Sequence, residues 1–211
     1  MLNVVADDFI AEKALQELLQ VGGRARDALL TNAPVRTAEE HIRRGIRRYH
    51  KWAIKDGKVD KAWNLPLFEV VSGSRDISAS DLQDKMLWKL DHLAAQWRDA
   101  LRVRASVEAD GGAEIQDGSD DTLIEKDFIR EPPTLYGVIC SHTIMGFVSY
   151  DIMAKNPTLR TVAIFDFGRE DYDVWNSLAI AIFVLHCRNR MMELKEDLQT
   201  YESSDSSDPD A

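Results

Sequence analysis

Between Leu65 and Leu198 the chain sets out its apolar runs in an order that leaves few folds open. The run Leu65-Pro66-Leu67-Phe68-Glu69-Val70-Val71 carries a single carboxylate. It is short, rich in branched residues and closed by Ser72-Gly73-Ser74, which is the pattern of a strand. Ser80 and Gln83 then form a capping-box pattern that opens a helix. Leu82, Met86, Leu90, Leu93, Trp97 and Leu101 mark its buried stripe at steps of three and four. Two further strands are expected over Leu135 to Cys140 and Ile144 to Asp151, joined by a tight turn at Ser141-His142-Thr143. Thr161 to Phe167 makes another strand, and a helix follows from about Asp173 to Leu198. Val174 to Cys187 is apolar nearly all round, so that stretch is expected to be deeply buried. A strand, a crossover helix and then strands joined through turns imply an α/β fold, with a mixed central sheet flanked by helices.

The residues before Leu65 read as helical. Ile10, Ala14, Leu18 and Val21 fall near helical spacing, and Gly22-Gly23 is expected to stop that helix. A short helical piece over Ala25 to Leu30 precedes a turn at Asn32-Ala33-Pro34. Thr37 and Glu40 then form a second capping box, and Ile42, Ile46, Tyr49 and Ala53 follow at steps of four, three and four. Arg43, Arg44, Arg47, Arg48, Lys51 and Lys55 take the remaining surface, which makes an amphipathic helix with a basic outer side. The expected organisation is a helical region over 1–61, an α/β core over 62–200 and an acidic, serine-rich tail over 201–211. Residues 105–121, acidic and glycine-rich, bury too little to offset the entropy of ordering and read as a flexible insertion.

Composition narrows the function classes. With 45% hydrophobic residues in 211, most of the chain can fold around a core. The net charge of −10 disfavours a general nucleic-acid coat, because phosphate binding relies on Lys and Arg. Two cysteines, Cys140 and Cys187, both in apolar runs, read as buried thiols and not as a disulfide framework. The residues from Met1 have no basic flank or long apolar core, so no signal peptide is expected there. The longest apolar stretch, Ser177 to Cys187, is short of the roughly 20 residues that span a bilayer. The reading is a chain without a membrane segment, placed inside the cell in cytoplasm or nucleus.

Chemistry centres on Glu69. Leu67-Phe68-Glu69-Val70-Val71 resembles the strand that carries the catalytic Glu-x-Lys of PD-(D/E)XK nucleases. The helix with Leu82-Gln83 and Gln96-Trp97 resembles the crossover helix after it. Leu135-Tyr136-Gly137-Val138-Ile139 and Phe147-Val148-Ser149-Tyr150-Asp151 resemble the family's later strands. Residues 65–198 are thus similar to the later half of a restriction-endonuclease-like domain, in the divergent form found in fungal proteins. The resemblance implies magnesium held by acidic oxygens on adjacent strands, with a Lys to orient the attacking water. Two departures follow from the residues. Val71 stands where the family has its Lys, and only Lys58 to Asn64 separate the basic helix from Leu65, which leaves little room for the family's Asp-bearing hairpin. In an active enzyme Asp60 or Asp56 would supply the acidic oxygen beside Glu69, with Asp60 taken as the second metal ligand, and Lys85 or Lys89 on the crossover helix would stand in for the lysine.

Other constellations are ordinary by their spacing. The histidines and cysteines have no zinc spacing, Ser72-Gly73-Ser74 lacks a phosphate-loop Lys, and Asp166 suits the cap of a strand-to-helix turn. The basic helix stands out. From Arg36 to Lys61 there are nine Lys or Arg and four Asp or Glu, so this segment carries +5 and the rest of the chain −15. The leading expectation is a nuclease-like fold without catalysis and without a cofactor, acting as a protein-interaction or scaffold module. Arg43, Arg44, Arg47, Arg48 and Lys51 would meet an acidic protein partner. The alternatives are a magnesium-dependent nuclease using Glu69, and a non-catalytic nucleic-acid binder using the basic helix. A short front to the sheet would also leave room for a second copy of the chain to complete it.

Overall fold

The computed structural model describes residues 2–59, 65–74, 76–102, 128 and 130–205, with side chains between 10 and 195. Helices α1 (Leu2–Leu19), α2 (Val21–Leu30) and α3 (Ala38–Asp56) come first. Strand β1 (Phe68–Gly73) and helix α4 (Ala79–Leu101) follow, then β2 (Leu135–Ser141), β3 (Ile144–Tyr150) and β4 (Arg160–Asp166). A short 3-10 turn, Glu170–Tyr172, leads into α5 (Asp173–Asp205). The four strands lie in the order β1-β2-β3-β4, with β1 parallel to β2 and the other pairs antiparallel. The chain is therefore α/β, with a mixed sheet, helices on both its faces and a helical amino-terminal region.

Period-two alternation sorts the strand residues between two layers. Glu69, Val71 and Gly73 share a face with Gly137, the register partner of Glu69. This face meets α4, since a side chain on Gly73 would strike Leu82 and one on Gly137 would strike Met86. The opposite face carries Phe68, Tyr136 and Phe147, whose rings all contact Phe183 of α5. Helix α3 lies on that side too, with His50 against Phe68 at 4.3 Å between ring centroids. Ile42, Ile46, Tyr49 and Ala53 are buried, as their spacing requires.

The amino-terminal helices share one continuous core with the sheet: Leu18, Val21 and Ala25 pack in the same cluster as Phe68 and Val184. A bidentate ion pair ties them down at its margin. The Arg26 guanidinium donates to both oxygens of Asp173 at 2.7 Å and to the Phe167 carbonyl at 3.1 Å.

Several local expectations change. Gly22-Gly23 does not end helical structure but lies inside α2. A Cβ on Gly22 would sit 1.9 Å from Asp173 Oδ1, so the missing side chain is what lets α2 approach that carboxylate. The cap of α4 is Ser78, whose hydroxyl accepts from the Asp81 amide at 3.1 Å, and not Ser80. The first strand starts at Phe68, later than Leu65, and runs on to Gly73. Helix α5 is not buried all round: Val174, Trp175 and Ile182 are exposed, while Asn176 and Ser177 face inward. These inner polar groups are satisfied by the Asp166 and Leu18 carbonyls. Helix α5 also continues to Asp205, taking in the first residues of the segment read as an acidic tail. The proposed flexible insertion, 105–121, and residues 206–211 lie outside the described residues.

Gly137 sets the distance between α4 and the sheet. An added Cβ would lie 2.6 Å from Met86 Sδ and 2.8 Å from Val148 Cγ2. Gly137→Ala is expected to cost about 1–3 kcal/mol through overpacking. Gly146→Ala is the control, because its Cβ would meet only the Ala163 carbonyl, at 4.0 Å. Urea denaturation of both variants checks this; equal stabilities would contradict the close approach.

Candidate functional site

Glu69 is the second residue of β1 and reaches out on the α4 side of the sheet. Its Oε2 accepts from Lys89 Nζ at 2.8 Å, in a pair whose side chains are 27% and 29% exposed. The lysine comes from α4 because Met86 sits over Gly137, the neighbour of Glu69, and Lys89 is close to one turn further along. Val71, on the same face of β1, is 2% exposed and packs in the core. Lys85, on the same helix, is exposed, and among the described residues Glu69 pairs with Lys89. Asp60 lies outside the described residues.

The donor set bears on metal binding. A magnesium site is built from several oxygen ligands, usually with more than one carboxylate or with substrate phosphates. The described residues offer Glu69, one of whose oxygens is engaged by an ammonium group. Among the described residues no group of three or more His, Cys, Asp or Glu side chains could hold a metal ion. These residues alone do not fit a magnesium centre.

His50, on the other side of β1, is a feature that spacing did not single out. Its Nε2 is buried without a hydrogen-bond partner. Burial pushes its pKa down to about 4, and the nearby Glu69 charge offsets this only in part. Neutral imidazole is the form that packs against Phe68. The other candidates have structural roles. Asp166 Oδ1 accepts from Thr143 Oγ1 at 3.1 Å and from the Gly168 amide at 2.7 Å, which fixes the strand-to-helix turn. Cys140 and Cys187 are free and buried, and burial pushes both thiols up to about 12.

The second candidate surface is the outer side of α3. The helix starts behind Thr37, whose amide donates to the Glu40 carboxylate at 3.4 Å. Glu39 and Glu40 lie in the first turn, where the helix dipole favours negative charge. With Ile42, Ile46, Tyr49 and Ala53 turned to the core, the remaining positions place Arg44, Arg47, Arg48 and Lys51 in solvent and Arg43 at the margin. Together with Arg36 and Glu40 these residues line a shallow depression of about 330 Å³. From Glu40 to Lys51 the row is about 16 Å long. Among the described residues only Arg48 of this row has an ion pair, with Glu17 at 2.9 Å. His41, at the rim, is held below its ordinary value, by burial first and then by Arg36, Arg24 and Arg44. The local field is therefore positive despite the acidic chain.

Comparison with known protein families, with curated proteins and with solved structures finds no match. The nuclease-like resemblance accordingly stands on this chain's own residues. Among the described residues, no helix is long and apolar enough to cross a membrane.

His50 gives a signed pH dependence. The unfolded chain takes a proton on this imidazole near pH 6.5, whereas the folded chain takes it only near pH 4. Its contribution to stability is intact above about pH 6.5 and is lost as pH falls towards 4, by an order of about 3 kcal/mol. His50→Leu should flatten that part of the curve when urea midpoints are measured between pH 4 and 7. Parallel curves for the two proteins would show that His50 is not buried neutral.

Proposed function

We propose that this chain is a catalytically degenerate nuclease-like module that works by binding, with the outer face of α3 as its contact surface for an acidic protein segment. The observation that carries the reading is the row of Arg44, Arg47 and Lys51, exposed and without ion pairs among the described residues, beside a core stripe that already anchors the helix. Unpaired guanidinium groups offer fork-shaped donors to carboxylates, and their summed field speeds encounter with anions. The state of Glu69 supports the non-catalytic half: Lys89 takes one oxygen, and Val71 fills the position of the family's lysine.

An acidic peptide is favoured over a nucleic acid by extent. A short acidic segment covers only the row on α3. A polymeric phosphate backbone would run beyond it, onto a chain whose other residues sum to −15. The row also lacks exposed aromatic rings on which bases would stack, since Tyr49 is buried in the core.

A magnesium-dependent nuclease is the second reading. The observation in its favour is the Lys89 ammonium 2.8 Å from a strand-borne carboxylate, which supplies a cation beside Glu69 that the sequence does not supply at Val71. It requires a second acidic ligand from residues outside those described, with Asp60 the candidate.

Two experiments separate these readings. Incubation with single- and double-stranded DNA and RNA, in magnesium or manganese, should give no cleavage; cleavage that Glu69→Ala abolishes would establish the enzyme. Binding of a polyglutamate peptide should be saturable, weaken as salt rises and drop by at least about tenfold in an Arg44→Glu, Arg47→Glu, Arg48→Glu variant. Tighter binding of a duplex oligonucleotide than of polyglutamate would favour the nucleic-acid reading instead.

A further inference from the structure

Helix α4 carries a surface of opposite chemistry on the other side of the sheet from α3. Asp84, Leu87, Trp88 and Asp91 recur at steps of three, one and three, so they lie on one side of the helix. With Tyr150 and Pro157 they line a depression of about 360 Å³. Trp88 is 69% exposed, unlike Trp97 of the same helix, which is buried in the core. Its ring lies parallel to that of His92, with 6.0 Å between centroids and 6° between planes, so its orientation is supported from its own helix. The Asp91 carboxylate is also held in place, because the Tyr150 hydroxyl donates to its Oδ1 at 3.0 Å. Burial and this hydrogen bond push the Tyr150 phenol up to about 12, so it stays a donor.

The charges in the depression are one-sided. Among the described residues no Lys or Arg lines it. Neither Asp84 nor Asp91 takes part in an ion pair among those residues. Arg98, further along α4, donates from Nη1 to the Ile152 carbonyl at 3.1 Å.

An indole ring with carboxylates beside it has a complementary ligand. The face of the ring carries the negative end of its quadrupole and attracts a cation, and the carboxylates accept hydrogen bonds from it. A guanidinium group does both at once, because it is planar enough to lie on the ring and its N–H groups point outward in the same plane. An ammonium group matches the charge but not the plane. A phosphate-bearing ligand would be repelled by both carboxylates.

We propose that the depression formed by Trp88, Asp84 and Asp91 seats an arginine side chain from a basic segment of a partner protein. The surface is independent of the row on α3, and its ligand has the opposite charge. The acidic average of the chain draws such a segment in, and the indole supplies the contact that holds it.

The test is a titration of the ¹⁵N-labelled full chain, read at the Trp88 indole N–H, which its loss in Trp88→Phe identifies. The probes are blocked triarginine and blocked tricitrulline, whose side chain has the same shape without the charge. Triarginine should give a saturable shift at Trp88, with tricitrulline weaker by about tenfold. Asp84→Asn with Asp91→Asn should weaken triarginine to a similar degree. The urea midpoint should hold in that double variant, since the new amide oxygen still accepts from the Tyr150 hydroxyl. A Trp88 signal that does not move, an equal response to tricitrulline, or undiminished binding by the folded double variant would each overturn the proposal.

Discussion

Burial of one stripe of α3 is the constraint from which the rest of the molecule follows. Ile42, Ile46, Tyr49 and Ala53 are each at most 4% exposed, and they lie in the same cluster as Phe68 of β1 and Val184 of α5. Burying four such side chains removes enough apolar surface from water to contribute several kcal/mol, on the order of 1–3 each for the larger ones. With that stripe fixed inward, the 3.6-residue period leaves the arginines no direction but outward. The packing of the core thus also creates the charged face. Its residues can change without touching the stripe, so fold and surface chemistry are separable here.

On the other side of the sheet, a second close approach sets the state of Glu69. Gly137 lets Met86 rest on the sheet, which brings Lys89 to the carboxylate. The pair is partly solvent-exposed, so its net contribution to stability is modest, up to about 1 kcal/mol. Its greater effect is chemical. An ammonium group held on one oxygen reduces what a lone carboxylate can offer to a cation. His50 behind β1 adds a polar group that the core keeps neutral. Among the described residues the region around β1 therefore assembles an ion pair and a neutral imidazole and no metal-holding cluster, while the outer faces of α3 and α4 carry the exposed charged and aromatic side chains.

Much of this was legible in the sequence where a strong period and an end signal coincided. Helix α3 has both, with Thr37 and Glu40 at one end and a regular stripe behind them. The β2–β3 hairpin was legible because two apolar runs leave room only for a tight turn. The misreadings have physical reasons. Ser78 and Ser80 are both capping types, and only the extended backbone at Ser78 decides between them. Gly22-Gly23 carries the composition of a stop signal, but Asp173 approaches Gly22, 151 positions away, where sequence gives no clue. In α5 the all-round apolar composition hid the inward-facing Asn176 and Ser177, whose partners are carbonyls of distant segments. Choosing Lys89 over Lys85 required the register of α4 against β1. Trp88 was hidden because a tryptophan on an amphipathic helix is ordinarily core, as Trp97 is.

The central claim is that the cations on α3 serve a partner and not the fold. Charges placed for binding repel one another in the free protein, and neutralising them leaves stability unchanged or raised. The most direct measurement is the urea-unfolding stability of an Arg44→Gln, Arg47→Gln, Lys51→Gln variant at low and at high salt. The account predicts a stability equal to or above that of the parent at low salt, with the difference vanishing at high salt. A loss of more than about 1 kcal/mol at low salt that salt removes would contradict it, because these side chains would then belong to the chain's own ion pairs.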